Sequence, residues 1–222
     1  MSGRRMASGL CLSLALAGCA AQQTPPAESP ALAPAPGASD EGTPSAAARK
    51  RLRAVIRDQS FLERLSDSVR ATTISEPFSG RMVILYLVDD GGAARGATEA
   101  DLTESGVTRE ALRAVAEWNL AQVLNQRLTC TSHAVTEPAR HGFYESSRLL
   151  LDKQWAALAA TAGTVVVAAP SNDTLFVACN PSPETLQKLA VVVQNTYQQA
   201  ARPVSPSLLT WSSDGWRELP AP

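Results

Sequence analysis

Four polar residues of this 222-residue chain could form one site if the fold brought them together. Two follow an apolar run, one interrupts the apolar face of a helical pattern, and one lies in a turn: Asp89, Asp90, Asn119 and Asp173. Carboxylates and an amide around one pocket could support acid–base catalysis, and the two adjacent carboxylates could bind a hard cation. Turn solvation for the aspartates and loop fixation for the amide are the structural alternatives, and we favour them.

The first 19 residues have the layout of an export signal. Arg4 and Arg5 give a positive start, and Met6–Ala17 is an apolar run too short to span a bilayer. The run ends at Leu16-Ala17-Gly18-Cys19, which resembles the lipobox of bacterial lipoprotein precursors. We therefore expect residues 1–18 to be removed as a signal peptide and Cys19 to be the lipidation site. An ordinary secretory signal that contains a cysteine is the alternative.

Residues 19–48 follow the signal as a lipidated cysteine and a segment rich in alanine and proline. This segment has too few large apolar side chains to offset the entropy of ordering, so it predicts a disordered tether. By analogy with lipoprotein sorting, Ala20 favours the outer membrane, facing the periplasm, if the cell has two membranes. We expect the membrane to be a partner through the lipid anchor, and one globular domain to span residues 49–219.

The two remaining cysteines favour a disulfide bond. Cys11 leaves with the signal and Cys19 is acylated, so an exported domain retains Cys130 and Cys179. Two unpaired buried thiols are the alternative. Cys130, His133 and His141 match no familiar zinc spacing, so we expect no metal and no cofactor.

The apolar patterns predict an α+β fold, with a mostly antiparallel sheet and a central hairpin at about residues 165–179, packed by three main helices. A basic helical stretch opens the domain at Arg49–Val69, with a break near Asp58–Ser60. Four further helix signals follow, namely Thr98 with Asp101, Thr108–Gln126, Ser146 or Ser147 to Gly163, and Ser182–Ala200. The strands are Met82–Val88, covered on both faces, Leu128–Val135, the two hairpin strands 165–169 and 175–179, and two edge strands, 208–211 and 216–219.

The folded part also resembles a family of uncharacterised bacterial proteins, DUF1444. The matching residues cover roughly Phe61 to Trp216: Val83–Asp90, Thr98–Leu102, Gly106–Thr108, Asn119-Leu120, Tyr144–Leu151, Ala169–Asp173, Ser205-Pro206 and Gly215-Trp216. Two features depart from the family, which is usually longer at the front and has an arginine in place of Asn172. The resemblance implies a shared architecture and supplies no activity.

The sequence lacks the common catalytic signatures, since it contains no nucleophile elbow, phosphate-binding loop or metalloprotease motif. Its net charge of -1 argues against nucleic acid as a partner, because phosphate-backbone binding needs many cations. We therefore expect a non-enzymatic envelope lipoprotein that binds a protein, a peptide or a wall component. The alternative is an envelope hydrolase that uses the candidate cluster of Asp89, Asp90, Asn119 and Asp173.

Overall fold

The computed structural model describes residues 44–130, 135–136 and 142–220. These residues form an α+β fold whose sheets are antiparallel, which confirms the predicted class. The helices are α1 (Pro44–Arg51), α2 (Ser60–Glu63), α3 (Asp67–Thr72), α4 (Glu99–Ser105), α5 (Arg109–Val123), α6 (Asp152–Ala162) and α7 (Pro183–Gln199). The strands are β1 (Leu52–Asp58), β2 (Ser75–Pro77), β3 (Met82–Asp89), β4 (Ala94–Gly96), β5 (Val135–Thr136), β6 (Val165–Ser171), β7 (Thr174–Cys179), β8 (Leu208–Ser212) and β9 (Gly215–Glu218). A 3₁₀ segment spans Gly142–Leu150.

The folded part begins with α1, five residues before the predicted boundary at residue 49. Ala48 is buried, and the Ser45 hydroxyl donates a hydrogen bond to the carbonyl oxygen of Ser105 at 3.0 Å. The alanine-rich residues that we assigned to the tether therefore form a helix, because alanine favours helices and α1 has α4 to pack against. The predicted signal peptide, Cys19 and the rest of the tether lie outside the described residues.

The first sheet has the order β1-β3-β2, and β4 also pairs with β3. The prediction of a helix over Arg49–Val69 was wrong for residues 52–58, which form β1 and pair with β3 along the whole strand, whereas short helices α2 and α3 follow the predicted break. The spacing of Leu52, Val55 and Ile56 fits a helix, but it also fits a strand that is covered on both faces. The predicted strand Met82–Val88 is confirmed, and its buried side chains lie on both faces.

Local capping signals position α4 and α5 as predicted. The Thr98 and Asp101 side chains form a capping box at the start of α4, and Gly106 ends that helix in the left-handed conformation at φ 61°. The Thr108 hydroxyl accepts a hydrogen bond from the backbone N–H of Ala111 and caps α5. Helix α5 then packs against β1.

Two predictions in the middle of the chain were wrong. Ser146 and Ser147 do not start a helix, since they are buried within the 3₁₀ segment and α6 begins at Asp152. The predicted strand Leu128–Val135 has no strand at residues 128–130, and residues 131–134 lie outside the described ranges. Tertiary burial explains the first error, because two hydroxyls next to an apolar run resemble a helix start. The predicted helix end at Gly163 is confirmed.

The second sheet has the order β5-β7-β6-β8-β9. Its β6–β7 hairpin confirms the predicted central hairpin, with the strands extending to Ser171 and Thr174 around a two-residue turn. Helix α7 begins at the predicted Ser182-Pro183 cap and covers one face of this sheet through Leu189 and Val193. The last hairpin is also present, although β8 is internal and only β9 is an edge strand.

The 3₁₀ segment connects the two sheets. Seven consecutive residues of it, 144–150, are buried, and it contacts β1, β6 and β7. A fully buried ion pair lies inside it, with Arg148 Nε 2.9 Å from Glu145 Oε2. Because a buried charge needs a partner, this pair fixes the segment in one arrangement.

Candidate functional site

A cleft of about 710 Å³ opens at the tip of the β6–β7 hairpin. Three parts of the chain form it, namely the start of the 3₁₀ segment, the hairpin turn, and the end of α7 with the loop that follows. We call it the hairpin-tip cleft, and its lining residues are Gly142, Phe143, Ser171, Asn172, Asp173, Thr174, Thr196, Gln199, Ala200, Ala201 and Arg202. Its volume falls within the range of small-molecule sites in proteins, and seven of its eleven lining residues are polar or charged.

Backbone hydrogen bonds hold the hairpin turn between its two neighbours. The N–H of Asn172 donates to the carbonyl oxygen of Arg202 at 3.1 Å, and the carbonyl oxygen of Asn172 accepts from the N–H of Ser146 at 3.2 Å. The Asp173 carboxylate accepts hydrogen bonds from the hydroxyls of Ser171 and Thr174. The hairpin turn that forms one wall of the cleft is therefore fixed to its neighbours before any ligand arrives, which lowers the entropic cost of binding.

Two arginines, one in the cleft lining and one behind the Phe143 ring, have no ion pair with a carboxylate in the described part of the chain. Arg57, on β1, is only 8% exposed, and its guanidinium carbon lies 5.9 Å from the ring centroid of Phe143. Its Nη1 donates to the carbonyl oxygen of Ile56 at 2.7 Å. Burial, and secondly the positive charge of Arg202, lower the pKa of Arg57 to about 10. Arg202 itself is exposed and lines the cleft.

Asp89 is connected to the cleft lining through Tyr144, which contacts Phe143. Its Oδ2 accepts a hydrogen bond from the Tyr144 hydroxyl, and its Oδ1 accepts one from the N–H of Gly91 at 2.9 Å. Burial and then the bond to Asp89 raise the pKa of Tyr144 above its usual value. The Tyr144 ring lies 4.2 Å, centroid to centroid, from Phe143, which lines the cleft.

The other two residues of the predicted cluster have structural contacts elsewhere. Asp90 forms a surface ion pair with Arg51 at 2.7 Å. Asn119 is buried, and its Nδ2 donates to the carbonyl oxygens of Arg49 at 2.8 Å and of Leu52 at 3.0 Å. Of Asp89, Asp90, Asn119 and Asp173, only Asp173 lines the hairpin-tip cleft. This cleft is therefore not the shared pocket that the hydrolase alternative requires.

The sequence patterns did not predict Arg57, Phe143 or Arg202 as residues in or beside a site. Arg57 follows three apolar residues, and a cation at the end of a buried strand is a signal for a site. The predicted helix gave no reason to expect a buried Arg57, because a helix would place this side chain on a solvated face. Phe143 and Arg202 carry no local signal, since they reach the cleft only through the fold.

Cys130 and Cys179 form a disulfide bond with 6.0 Å between their Cα atoms. Cys130 is therefore no free thiolate for the metal site that we considered with His133 and His141, and both histidines lie outside the described residues. Among the residues that the structure describes, no group of three or more histidine, cysteine or carboxylate side chains could hold a metal ion.

Comparisons with protein-family models, with curated proteins and with solved structures find no match to this chain. Over residues 44–130, 135–136 and 142–220, no helix combines the length and the apolar character needed to cross a bilayer. The chemistry of the hairpin-tip cleft must therefore be inferred from its own residues.

Proposed function

We propose that this chain is the precursor of a lipid-anchored envelope protein whose folded domain binds a small molecule or a short segment of envelope material in the hairpin-tip cleft. The cleft is the observation that carries the binding role. It has about 710 Å³ of space, a hairpin turn held by hydrogen bonds, and amide and charged residues in its lining. A cleft with one wall fixed in advance suits recognition.

Two further features support the envelope location. The Leu16–Cys19 quartet follows a short apolar run, as in lipoprotein precursors. The Cys130–Cys179 disulfide suits an oxidising compartment, because thiols remain reduced in the cytosol of most organisms. An outer-membrane position facing the periplasm, if the cell has two membranes, is part of the proposal. A relationship to the DUF1444 proteins is also proposed, on the residues that the chain shares with them.

Lipid attachment can be tested with a matched pair of cysteine variants in the native host. Cells fed an alkyne fatty acid should label the wild-type chain and Cys11→Ser, and they should leave Cys19→Ser unlabelled. The reason is that only Cys19 occupies the acylated position of the motif, although both cysteines lie in the N-terminal segment. Equal labelling of both variants, or no labelling of the wild type, would remove the anchor from the proposal.

The binding role can be tested by photo-crosslinking in intact cells. A photoreactive amino acid at Gln199 lies in the cleft, whereas one at Gln187 is exposed on the same helix about 18 Å away. We expect light to produce a discrete mass adduct from position 199 and none from position 187. The same adducts at both positions would show that the cleft has no special occupancy.

A further inference from the structure

Two positive charges near the hairpin-tip cleft lack the ion pairs that would stabilise them in the folded protein. Arg57 and Arg202 repel each other, and no carboxylate forms an ion pair with either in the described residues. The other deeply buried arginine behaves differently, because Arg148 is paired with Glu145 at 2.9 Å. An unpaired buried cation next to a second cation destabilises a protein unless an anion joins them.

A second observation is independent of charge. Asn172 lines the cleft and is only 5% exposed as a residue, and its side-chain amide makes no hydrogen bond within the described part of the chain. Buried amides normally have partners, so this group has the capacity to donate to a ligand. The Asp173 carboxylate lies beside it in the same lining and can accept hydrogen bonds from hydroxyl groups.

We infer that the cleft binds an acidic sugar or a sugar phosphate, a hydroxyl-rich molecule that carries one carboxylate or phosphate group. The anionic group binds to Arg202 and the Asn172 amide, and the Arg57 guanidinium behind the Phe143 ring strengthens the positive potential there. The hydroxyl groups face Asp173, whose carboxylate can accept their hydrogen bonds. This inference deepens the proposed binding function and rests on it.

Calorimetric titration of the full chain, purified as the cell makes it, tests the ligand class. The probes are glucuronate, glucose 6-phosphate and uncharged glucose, so that carboxylate and phosphate are compared on one ring. We expect at least one charged probe to bind about tenfold or more tightly than glucose, because a charge-assisted hydrogen bond is stronger than a neutral one. The tighter of the two charged probes identifies the anionic group.

Two substitutions test the residues. Arg202→Gln should weaken binding of the charged probe about tenfold or more, whereas Arg217→Gln, an exposed arginine on β9 away from the cleft lining, should leave it unchanged. Arg57→Met should also weaken binding, and it should raise the melting temperature of the ligand-free protein because it removes an unpaired buried charge. A purely structural Arg57 would instead lower that temperature.

The inference is overturned if glucose binds as well as both charged probes, if neither charged probe binds at millimolar concentration, or if Arg202→Gln binds like the wild type. Failure of the ligand class is distinguishable from failure of the binding function. If the titration overturned the inference but the photo-crosslink at position 199 still gave a mass adduct, the cleft would remain a binding site for a different class of ligand. Loss of that adduct as well would remove the binding site itself.

Discussion

The Ser147 hydroxyl accepts a hydrogen bond from the backbone N–H of Ile56 at 3.1 Å, across 91 residues of sequence. Ile56 lies on β1, whose other edge pairs with β3, so the serine satisfies a group on the open side of the strand. Both residues are fully buried. The 3₁₀ segment thus covers the edge of the first sheet with a side chain in place of another strand.

Replacement of Ser147 by alanine should therefore destabilise the protein more than an ordinary serine replacement. The Ile56 N–H would be left without a partner in the core, which costs about 1–3 kcal/mol. Ser213→Ala is the control, since that serine is exposed in the β8–β9 turn. Chemical unfolding should show the loss for Ser147→Ala alone, and equal stability of the two variants would contradict this role.

Asn119 joins α5 to the start of β1 through two carbonyl oxygens. Asn119→Ala should lower the free energy of unfolding by about 1–3 kcal/mol, because both acceptors lose their donor. Asn119→Asp should lower it further, since a carboxylate cannot donate and repels the carbonyl oxygens. Urea titration measures both effects, with the exposed Asn195→Ala on α7 as the control. A wild-type midpoint for Asn119→Ala would refute the structural role.

Asp101 should make a pH-dependent contribution to stability. The hydrogen bonds from Arg95, followed by those from Thr98, hold the pKa of this carboxyl well below its usual 3.8. Because the folded-state pKa is lowered, the stabilisation is fully present above the unfolded-state value and is lost as the pH falls through the folded-state value. The difference in unfolding free energy between the wild type and Asp101→Asn should be constant from about pH 7 to pH 5 and shrink below about pH 4.

The control for this titration is Asp67→Asn, because the Asp67 side chain is 93% exposed although it lies beside Arg70. An exposed ion pair contributes little to stability, so this variant should follow the wild type at every pH. Thermal melts over the same pH series give the comparison. If the difference in unfolding free energy between the wild type and Asp101→Asn stayed constant down to about pH 2, the ionised carboxylate would make no contribution to stability.

The Cys130–Cys179 bond closes a loop with a sequence separation of 49. Replacing both cysteines by serine should lower the stability by about 4 kcal/mol in the chain-entropy model. A reductant should lower the melting temperature of the wild type and leave that of the double variant unchanged. If the reductant instead changed the melting temperature of both proteins by the same amount, the bond would not be formed in the wild type.

The sequence predicts those parts of this fold that short stretches of chain determine. The caps at Thr108 and Ser182 and the β6–β7 hairpin depend on a few adjacent residues, and all three are present. β1 was missed because its partner β3 begins 24 residues further along the chain, and the apolar spacing alone fits two structures. Propensity could not reveal a pairing that only the tertiary fold selects.

The cleft was beyond prediction for the same reason. Phe143, Asn172 and Arg202 come from three segments about 30 residues apart, and only the fold brings them together, although Asn172 lies in the Ala169–Asp173 stretch that carries the resemblance. Asp173 was singled out because it lies in the hairpin turn, and it does line the cleft. Asp89, Asp90 and Asn119 were grouped with it only by residue type, and their contacts show three separate local roles.

The proposed envelope location depends above all on the acylation of Cys19, because the membrane anchor follows from it. Intact-mass and peptide analysis of the protein from native membranes measures this directly. We predict a mature chain that starts at Cys19 and carries acyl groups on that residue. A chain that retains residues 1–18, or one that starts at an unmodified residue, would contradict the account.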